Sequence, residues 1–162
     1  MTVTNFELRA QVEQLHARYA HALDNDELER WPEFFTASGR YRITTAENVE
    51  RGLPLGLIHA TSRAMLRDRV RSLRDANVYE AQRYRHLLGA PLIEAAPSDG
   101  SDAIHAQTSF MVARIMHTGE TMLFATGRYQ DRVVRDGERF CFAEKLVILD
   151  SRLIDTLLAL PL

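Results

Sequence analysis

Residues 104–149, IHAQTSFMVARIMHTGETMLFATGRYQDRVVRDGERFCFAEKLVIL, form the stretch that decides the fold. Apolar and polar residues alternate through it, and this pattern predicts three long β-strands. The strands are Ile104–His117, Thr121–Val134 and Arg139–Leu149. Short segments with glycine, Thr118-Gly119-Glu120 and Asp136-Gly137, separate them. Glycine turns between alternating strands are typical of β-hairpins, so the stretch predicts an antiparallel meander.

The segments before this stretch add three helices and two strands. Apolar side chains recur at helical spacing from Leu8 to Leu23, which predicts one long helix with an apolar face. The other expected elements are a short helix around Trp31, strands at Arg40–Thr44 and Arg85–Ile93, and a third helix at Ser62–Ala76. The segment Ala46–Thr61 combines turn residues with several leucines, and either a buried loop or a lid fits it.

Helices followed by a long run of antiparallel strands define an α+β arrangement. A strongly curved antiparallel sheet wrapped around the N-terminal helices buries the apolar faces of both. Such a cone-shaped half-barrel resembles the nuclear-transport-factor-2-like folds. The chain has 162 residues and a mass of 18.5 kDa, which suits one domain, so we expect residues 1–162 to form a single domain.

Charge and cysteine content exclude several classes of function. The formal net charge of −2 gives no reason to expect nucleic acid or an anionic membrane as a partner. No apolar run approaches the ~20 residues that cross a bilayer, and the N-terminus lacks a secretory signal, so we expect a cytoplasmic protein. Cys141 is the only cysteine, which is too few for an internal disulfide or an iron–sulfur cluster. Any redox cluster is therefore expected on another polypeptide, and Cys141, between two phenylalanines, is expected to be a buried hydrophobe.

The histidines and the basic residues form no recognisable catalytic or metal motif. His16 and His21 are five residues apart, which misses the i, i+3 or i, i+4 spacing of metal ligands on one helix face. Each of the six histidines is expected to be hydrogen-bonded or exposed. Phosphate-binding loops, nucleophile elbows and dinucleotide fingerprints are missing from the sequence. Lys145 is the only lysine among twenty basic residues, and this excess of arginine fits subunit contacts and codon usage equally well.

A catalytic alternative rests on polar residues that a cone can enclose. Tyr19, Asp24, His86 and His105 are the candidates for lining its interior. A histidine–aspartate pair with a tyrosine can perform the general acid–base chemistry of a dehydratase or isomerase. The competing interpretation places Tyr19 in the core and makes Asp24 a cap of the second helix. A third alternative is a module that binds an apolar ligand inside the cone.

Four separated stretches resemble the small (β) subunits of aromatic-ring-hydroxylating dioxygenases. They are YAHALDNDELERWPEFF at 19–35, MLRDRVRSLRDANVYEAQRYRH at 65–86, FATGRYQDRVV at 124–134 and EKLVILDSRLIDTLLALPL at 144–162. The resemblance runs over essentially the whole chain and is weakest at 46–63 and 95–102. Within the family, the stretches at 83–89, 110–121 and 155–162 look most like the terephthalate 1,2-dioxygenase branch. Salicylate-hydroxylase small subunits are a more distant match.

The resemblance implies a non-catalytic subunit of an NADH-dependent oxygenase complex. In the family, a larger catalytic α subunit carries a Rieske [2Fe–2S] centre and a mononuclear Fe(II), and NADH supplies electrons through a separate reductase. This chain is then expected to hold no cofactor and to support an α3β3 hexamer through β–β trimer contacts and contacts with α. The candidate interface residues are Arg67, Arg71, Arg83, Tyr84, Arg85, His86, Leu160 and Leu162. A solvated helix face, an ordinary strand and a packed terminus explain the same residues equally well.

Overall fold

The sheet contains the predicted meander and extends beyond it. The computed structural model of the protein describes residues 5–76, 80–94, 100–153, 158 and 160–162. Its helices are α1 (Asn5–Asp24), a 3₁₀ helix (Leu28–Phe34), α2 (Ala46–Glu50) and α3 (Arg63–Ala76). Its strands are β1 (Phe35–Thr45), β2 (Ile58–Ala60), β3 (Gln82–Leu88), β4 (Leu92–Ile93), β5 (Ile104–Met116), β6 (Thr121–Asp136) and β7 (Arg139–Leu149). The α+β class and the packing of the N-terminal helices against a curved sheet are confirmed.

The sheet is mixed, which corrects the expectation of a wholly antiparallel sheet. Its strand order is β2-β1-β7-β6-β5-β3, and β4 pairs with the start of β5. Strands β5, β6 and β7 form the antiparallel meander, with left-handed backbone conformations at the turn residues Gly119 and Gly137. Strand β1 instead runs parallel to β7, with Tyr41 opposite Lys145. Hairpin signals act between neighbouring strands, so they carry no information about the direction of a strand whose partner lies far along the chain.

Strand β1 begins earlier than the predicted strand Arg40–Thr44 because an irregular stretch with its own pairing precedes Arg40. The strand starts at Phe35, and its register against β7 shifts between Phe35 and Arg40. Gly39 lies in this irregular part, where an added Cβ atom would come within 2.8 Å of the Phe35 Cβ. Ser38 and Gly39, which directly precede the predicted strand, therefore lie inside β1 at the break in its register.

Helix α1 packs against the sheet with the face that its sequence predicts. Val12, Leu15, Tyr19 and Leu23 are buried at helical spacing. They belong to one apolar cluster that includes side chains of β1, β5, β6 and β7. Burial of each large apolar side chain contributes roughly 1.5–3 kcal/mol relative to an exposed position. The 3₁₀ helix that follows adds Trp31, which is completely buried in the same cluster.

Three other segments differ from their predictions in detail. The segment 46–61 forms α2, a turn and the edge strand β2, and its leucines at 53, 55 and 57 stay exposed, so it is not a buried loop. The predicted strand Arg85–Ile93 is divided into β3 and β4 because Gly89 and Pro91 interrupt it. The predicted loop at 95–102 lies mostly outside the described residues. Within the described part of the chain, every helix is too short or too polar to cross a membrane.

Candidate functional site

The single lysine lies inside the fold, among three aromatic rings. Its side chain is completely buried, and the Lys145 Nζ lies 3.6, 4.3 and 4.7 Å from the ring centroids of Tyr129, Phe142 and Tyr19. Asp131 stands opposite on β6, and Nζ donates to its two carboxylate oxygens at 3.2 and 3.3 Å. A buried ammonium needs such partners because desolvation of an unpaired charge costs several kcal/mol. The rings and the carboxylate surround the ammonium, so no substrate can reach it in this arrangement.

Helix α1 joins this ion pair through His16. The His16 Nε2 lies 2.6 Å from the Asp131 Oδ2, and the His16 Nδ1 lies 3.3 Å from the Thr108 hydroxyl. Burial, followed by the charge of Lys145, lowers the pKa of His16, so the ring is neutral at pH 7. We assign the proton to Nε2, which donates to Asp131, while Nδ1 accepts from the Thr108 hydroxyl. One ring thereby ties α1 to β5 and β6.

The three groups form a cluster without net charge in the core. Burial lowers the pKa of Lys145 to about 8, against the opposing pull of Asp131, so its amine is still protonated at neutral pH. The ammonium balances the carboxylate, and the imidazole is neutral. The Asp131 side chain is fully buried, like that of Lys145. Because each polar group has a partner, the cluster can cross-link α1, β6 and β7 without leaving a charge uncompensated.

Two of the residues proposed for a dehydratase are paired at the end of α1. The Asp24 carboxylate lies 2.6 Å from the His86 Nδ1 and also accepts from the His86 main-chain N–H at 2.9 Å. Their side chains are 3% and 0% exposed. This contact fastens the C-terminal end of α1 to β3. Asp24 therefore does not cap the second helix, whose N-cap residue is Glu27.

The third residue, Tyr19, has different partners. Its hydroxyl donates to the main-chain oxygen of Leu162 at 2.7 Å and accepts from the Trp31 Nε1 at 3.2 Å. The Tyr41 hydroxyl donates to the same oxygen and accepts from the Leu162 N–H, both at 3.0 Å. Burial raises the pKa of both tyrosines, so the hydroxyls keep their protons. Tyr19 thus holds the end of the described chain in the core and is not hydrogen-bonded to the Asp24–His86 pair.

The fourth candidate, His105, faces away from the interior. It pairs in register with Arg132 at a position of β5 between the buried residues Ile104 and Ala106. Side chains alternate between the two faces of a strand, so His105 lies on the outer side of the sheet. The structure therefore does not bring the four dehydratase candidates into one site.

The predicted interface residues divide into two groups. Arg67, Arg71, Arg83 and Arg85 are exposed, whereas Tyr84, His86, Leu160 and Leu162 are buried within the chain. Of the exposed group, Arg67 donates to Glu33 at 2.8 Å, and Arg71 lies 3.7 Å from Asp68. The buried group contributes to the core of the subunit. The assignment of all eight residues to a subunit interface stays a prediction.

Cys141 has the buried position that its neighbours predict. Its side chain is 1% exposed, and burial raises the pKa of the thiol above its usual value. A raised pKa keeps the sulfur protonated and unreactive, since the thiolate is the nucleophile and metal ligand. In the described part of the chain, no three histidine, cysteine, aspartate or glutamate side chains are grouped so that they could hold a metal ion.

Sequence reasoning missed the His16–Asp131–Lys145 cluster, although β7 contains a signal for it. Lys145 precedes Val147 and Leu149 by two and four residues in an alternating strand, so it shares their inward face. A solitary lysine at an inward position requires a buried counter-charge. The pattern alone does not identify Asp131 as that counter-charge, because this depends on the strand register.

The class of this protein is shown by the family model that its sequence matches. The sequence model of the SnoaL-like domain matches residues 4–145. This chain therefore belongs to the SnoaL-like domain family, in agreement with its helices packed against a curved sheet.

Closer relatives give the particular group. The chain is 45% identical to the terminal oxygenase component subunit beta 1 of terephthalate 1,2-dioxygenase from Comamonas sp, over 94% of this chain and 97% of that protein. It is 42% identical to the anthranilate 1,2-dioxygenase small subunit of Burkholderia cepacia, over 94% and 92% of the two chains. A crystal structure assigned as the β subunit of an aromatic-ring-hydroxylating dioxygenase from Novosphingobium aromaticivorans superposes with a TM-score of 0.85 at 33% identity, covering 96% and 97% of the two chains. This chain belongs to the small (β) subunits of aromatic-ring-hydroxylating dioxygenases.

Proposed function

We propose that this chain is the non-catalytic, structural subunit of a dioxygenase that acts on terephthalate or a related aromatic carboxylate. The observation that carries the proposal is the 45% identity, over 94% of the chain, to a β subunit of terephthalate 1,2-dioxygenase. The interior of the fold supports a structural role. The groups with acid–base chemistry, Asp24, His86, Tyr19 and Lys145, are each bound to other parts of the same chain.

In this proposal the redox cofactors belong to a larger α subunit. A Rieske [2Fe–2S] centre is held by two cysteines and two histidines, and a mononuclear Fe(II) commonly by two histidines and a carboxylate. This chain has one cysteine, which is buried, and its described residues offer no grouped set of three metal ligands. The residues of this chain therefore fit neither group. NADH would deliver electrons to α through a separate reductase.

The assembly in this proposal is an α3β3 hexamer in the cytoplasm. Residues 1–162 would act as one domain that contacts two neighbouring β subunits and the catalytic α subunit. The small net charge of −2 supports a protein partner over nucleic acid or an anionic membrane. The exposed arginines Arg67, Arg71, Arg83 and Arg85 are the candidates for direct contact with other subunits, since arginine is enriched at interfaces.

Reconstitution tests the proposal. The chain is expressed alone and together with a large subunit encoded in the same genome, and each preparation is assayed for terephthalate-dependent NADH oxidation with reductase added. We expect activity only when both subunits are present. Turnover of an aromatic or hydroxylated substrate by the purified lone chain would refute the structural role.

The same assay also tests the alternative function, a dehydratase or isomerase that uses Tyr19, Asp24 and His86. The 2.6 Å contact between Asp24 and His86 favours it, whereas the engagement of the Tyr19 hydroxyl with Leu162 opposes it. A His86→Ala variant gives the distinction within the complex. Loss of dioxygenase activity in proportion to loss of assembled complex supports a structural pair.

A further inference from the structure

A cleft lies between α1, the 3₁₀ helix and the hairpin of β6 and β7. Its volume is about 370 Å³. Gln11, Leu15 and Arg18 form its wall on α1, on a stripe of the helix that adjoins the face packed in the core. Lys145 and the side chains that surround it do not line this cleft, so it is separate from the interior of the cone.

The floor of the cleft is apolar. Leu15 and Cys141 are buried there, and the half-buried rings of Phe34 and Phe140 complete the surface. Burial raises the pKa of the Cys141 thiol, so the floor carries no thiolate that would repel an anion. Ligand sites combine such apolar surfaces with a few polar groups, and a cavity of roughly 150 Å³ already holds a benzene molecule. The cleft therefore has room for one aromatic ring with a polar substituent.

Two arginines without a counter-charge stand at the mouth of the cleft. Arg18 belongs to α1 and Arg139 to β7, and both side chains are exposed. Among the residues that the structure describes, no carboxylate lies within 4.0 Å of either guanidinium. A guanidinium presents a planar set of N–H donors that matches the geometry of a carboxylate. Both arginines are therefore available to bind a carboxylate from solution.

The other charged residues of the lining do not neutralise these two arginines. Glu33 accepts from Arg67 of α3 at 2.8 Å, and this hydrogen bond lowers the pKa of Glu33. Arg30, the third arginine of the lining, is paired with Glu27. Glu138 is exposed beside the β6–β7 turn. After these pairings the two free arginines stand against Glu138 alone, so the mouth of the cleft keeps a net positive charge.

We propose that this cleft binds an aromatic carboxylate, with the ring on the apolar floor and the carboxylate at Arg18 and Arg139. The inference goes beyond the proposed function, which requires no ligand on this chain. It rests on that function only for the source of the ligand, since the substrates of the proposed oxygenase belong to this class of compound. A ligand that binds the folded chain alone stabilises it by mass action, so the subunit would become more stable when substrate is abundant.

Calorimetric titration of the purified full-length chain with benzoate tests the proposal. Benzoate carries one ring and one carboxylate, and a ligand of this size is expected to bind with a dissociation constant of roughly 0.1–1 mM. Benzamide keeps the ring without the charge, and acetate keeps the charge without the ring, so each should bind at least ~10-fold more weakly. A wild-type chain that does not bind benzoate, or that binds benzamide or acetate equally well, would overturn the proposal.

A charge substitution connects the binding to this cleft. Arg139→Gln is expected to raise the dissociation constant for benzoate by a factor of about 10–100, because it removes a hydrogen bond between two charged groups. The matched control Arg40→Gln changes another exposed arginine that has no carboxylate within 4.0 Å among the described residues but lies outside the cleft. This control should bind benzoate like the wild type. Equal affinities of the two variants contradict the assigned site.

A steric substitution tests the same cleft without a change of charge. Gln11→Trp places a large side chain in the cleft from α1 and is expected to abolish benzoate binding. The control Gln14→Trp carries the same replacement at an exposed position of α1 that does not line the cleft, and it should bind normally. Both positions are exposed, so circular dichroism and urea unfolding of both variants should match the wild type. Benzoate binding that survives Gln11→Trp would contradict the proposal.

The outcome remains distinct from a failure of the proposed function. The titration uses this chain alone and requires no turnover. A chain that does not bind benzoate but restores oxygenase activity to the large subunit would refute only the cleft as a ligand site. A chain that binds benzoate but does not assemble with the large subunit would refute the subunit role and leave the binding site in place.

Discussion

Replacement of Asp131 by asparagine removes the counter-charge of the buried lysine while keeping the shape of the side chain. The amide oxygen of the new side chain could still accept from His16, so a neutral hydrogen bond is retained. Only the ion pair with Lys145, at 3.2 and 3.3 Å, is lost. We expect Asp131→Asn to lower the free energy of unfolding by about 2–3 kcal/mol at pH 7.

The magnitude follows from the protonation of Lys145. In the wild type, burial lowers its pKa from 10.5 to about 8, which corresponds to a cost of about 3 kcal/mol for holding the charged amine in the core. Without Asp131 the amine loses its proton at pH 7, and deprotonation of a lysine at that pH costs at most ~5 kcal/mol. The difference is ~1–2 kcal/mol. The weaker neutral hydrogen bond from His16 adds about 1 kcal/mol, since charge-assisted bonds are roughly twice as strong.

The double variant Asp131→Asn/Lys145→Met provides the matched control. A methionine carries no charge, so the cost of burying the amine disappears and its sulfur can pack against Tyr129 and Phe142. Replacement of buried ion pairs by apolar groups of similar volume is often neutral or stabilising by ~1–4 kcal/mol. We therefore expect the double variant to be at least as stable as the wild type, although it lacks the same carboxylate as the single variant.

Urea unfolding at fixed protein concentration measures these differences in stability, with the fluorescence of the single, buried Trp31 as the signal.

The pH dependence of the free energy of unfolding provides a second test. Because the pKa of Lys145 in the folded chain lies below 10.5, this lysine binds more protons in the unfolded chain between about pH 8 and 10.5. The raised pKa values of Cys141, Tyr19 and Tyr41 act in the opposite direction in the upper part of this window, and they are shared by the double variant. The free energy of unfolding of the wild type should therefore rise with pH in that window relative to that of the double variant. A double variant no more stable than Asp131→Asn, or a double variant with the pH dependence of the wild type, would refute this account of the cluster.

Two further substitutions test other contacts. His86→Ala leaves the buried Asp24 carboxylate with a main-chain donor and the exposed Arg85 guanidinium at 3.9 Å, so we expect urea unfolding to show a loss of roughly 2–4 kcal/mol. The control Arg83→Ala, at an exposed position of the same strand, should change stability by less than ~0.5 kcal/mol. Equal losses in these two variants would show that the Asp24–His86 pair adds nothing. Gly127→Ala places a Cβ atom 2.0 Å from a main-chain oxygen of β7, so we expect the free energy of unfolding to fall by ~1–3 kcal/mol or more. In the control Gly89→Ala, the atom nearest to the new Cβ lies at 3.4 Å, so stability should be nearly unchanged. A Gly127→Ala chain that melts at the wild-type temperature would contradict this packing.

The elements that depend on local signals could be predicted from the sequence. The glycines at 119 and 137 mark the two hairpins, and the spacing from Val12 to Leu23 marks the buried face of α1. The parallel pairing of β1 with β7 could not be predicted in this way. The two strands lie far apart along the chain and no short turn connects them. They become neighbours because side chains of both are buried in the same apolar core.

The polar clusters could be predicted even less well from the sequence, because their members lie far apart along the chain. His16 and Asp131 are 115 residues apart, and Tyr19 and Leu162 are 143 residues apart, so no local spacing connects them. The hairpin that brings Asp131 to Lys145 also contains a register shift between Arg132 and Val133. Without that shift, counting outward from the turn would place Asp131 opposite Glu144, on the other face of the strand. The cluster therefore depends on a β-bulge that the alternating pattern does not reveal.

The central claim is that this chain is a structural subunit that works only within an oxygenase. The most direct measurement is co-purification of the tagged chain with the large subunit, followed by quantification of both polypeptides and of iron. We expect a complex with equimolar subunits in which all of the iron, including the [2Fe–2S] spectrum, is retained by the large subunit after the two are separated. A tagged chain that remains alone in the presence of the large subunit, or that carries the iron itself, would contradict the claim.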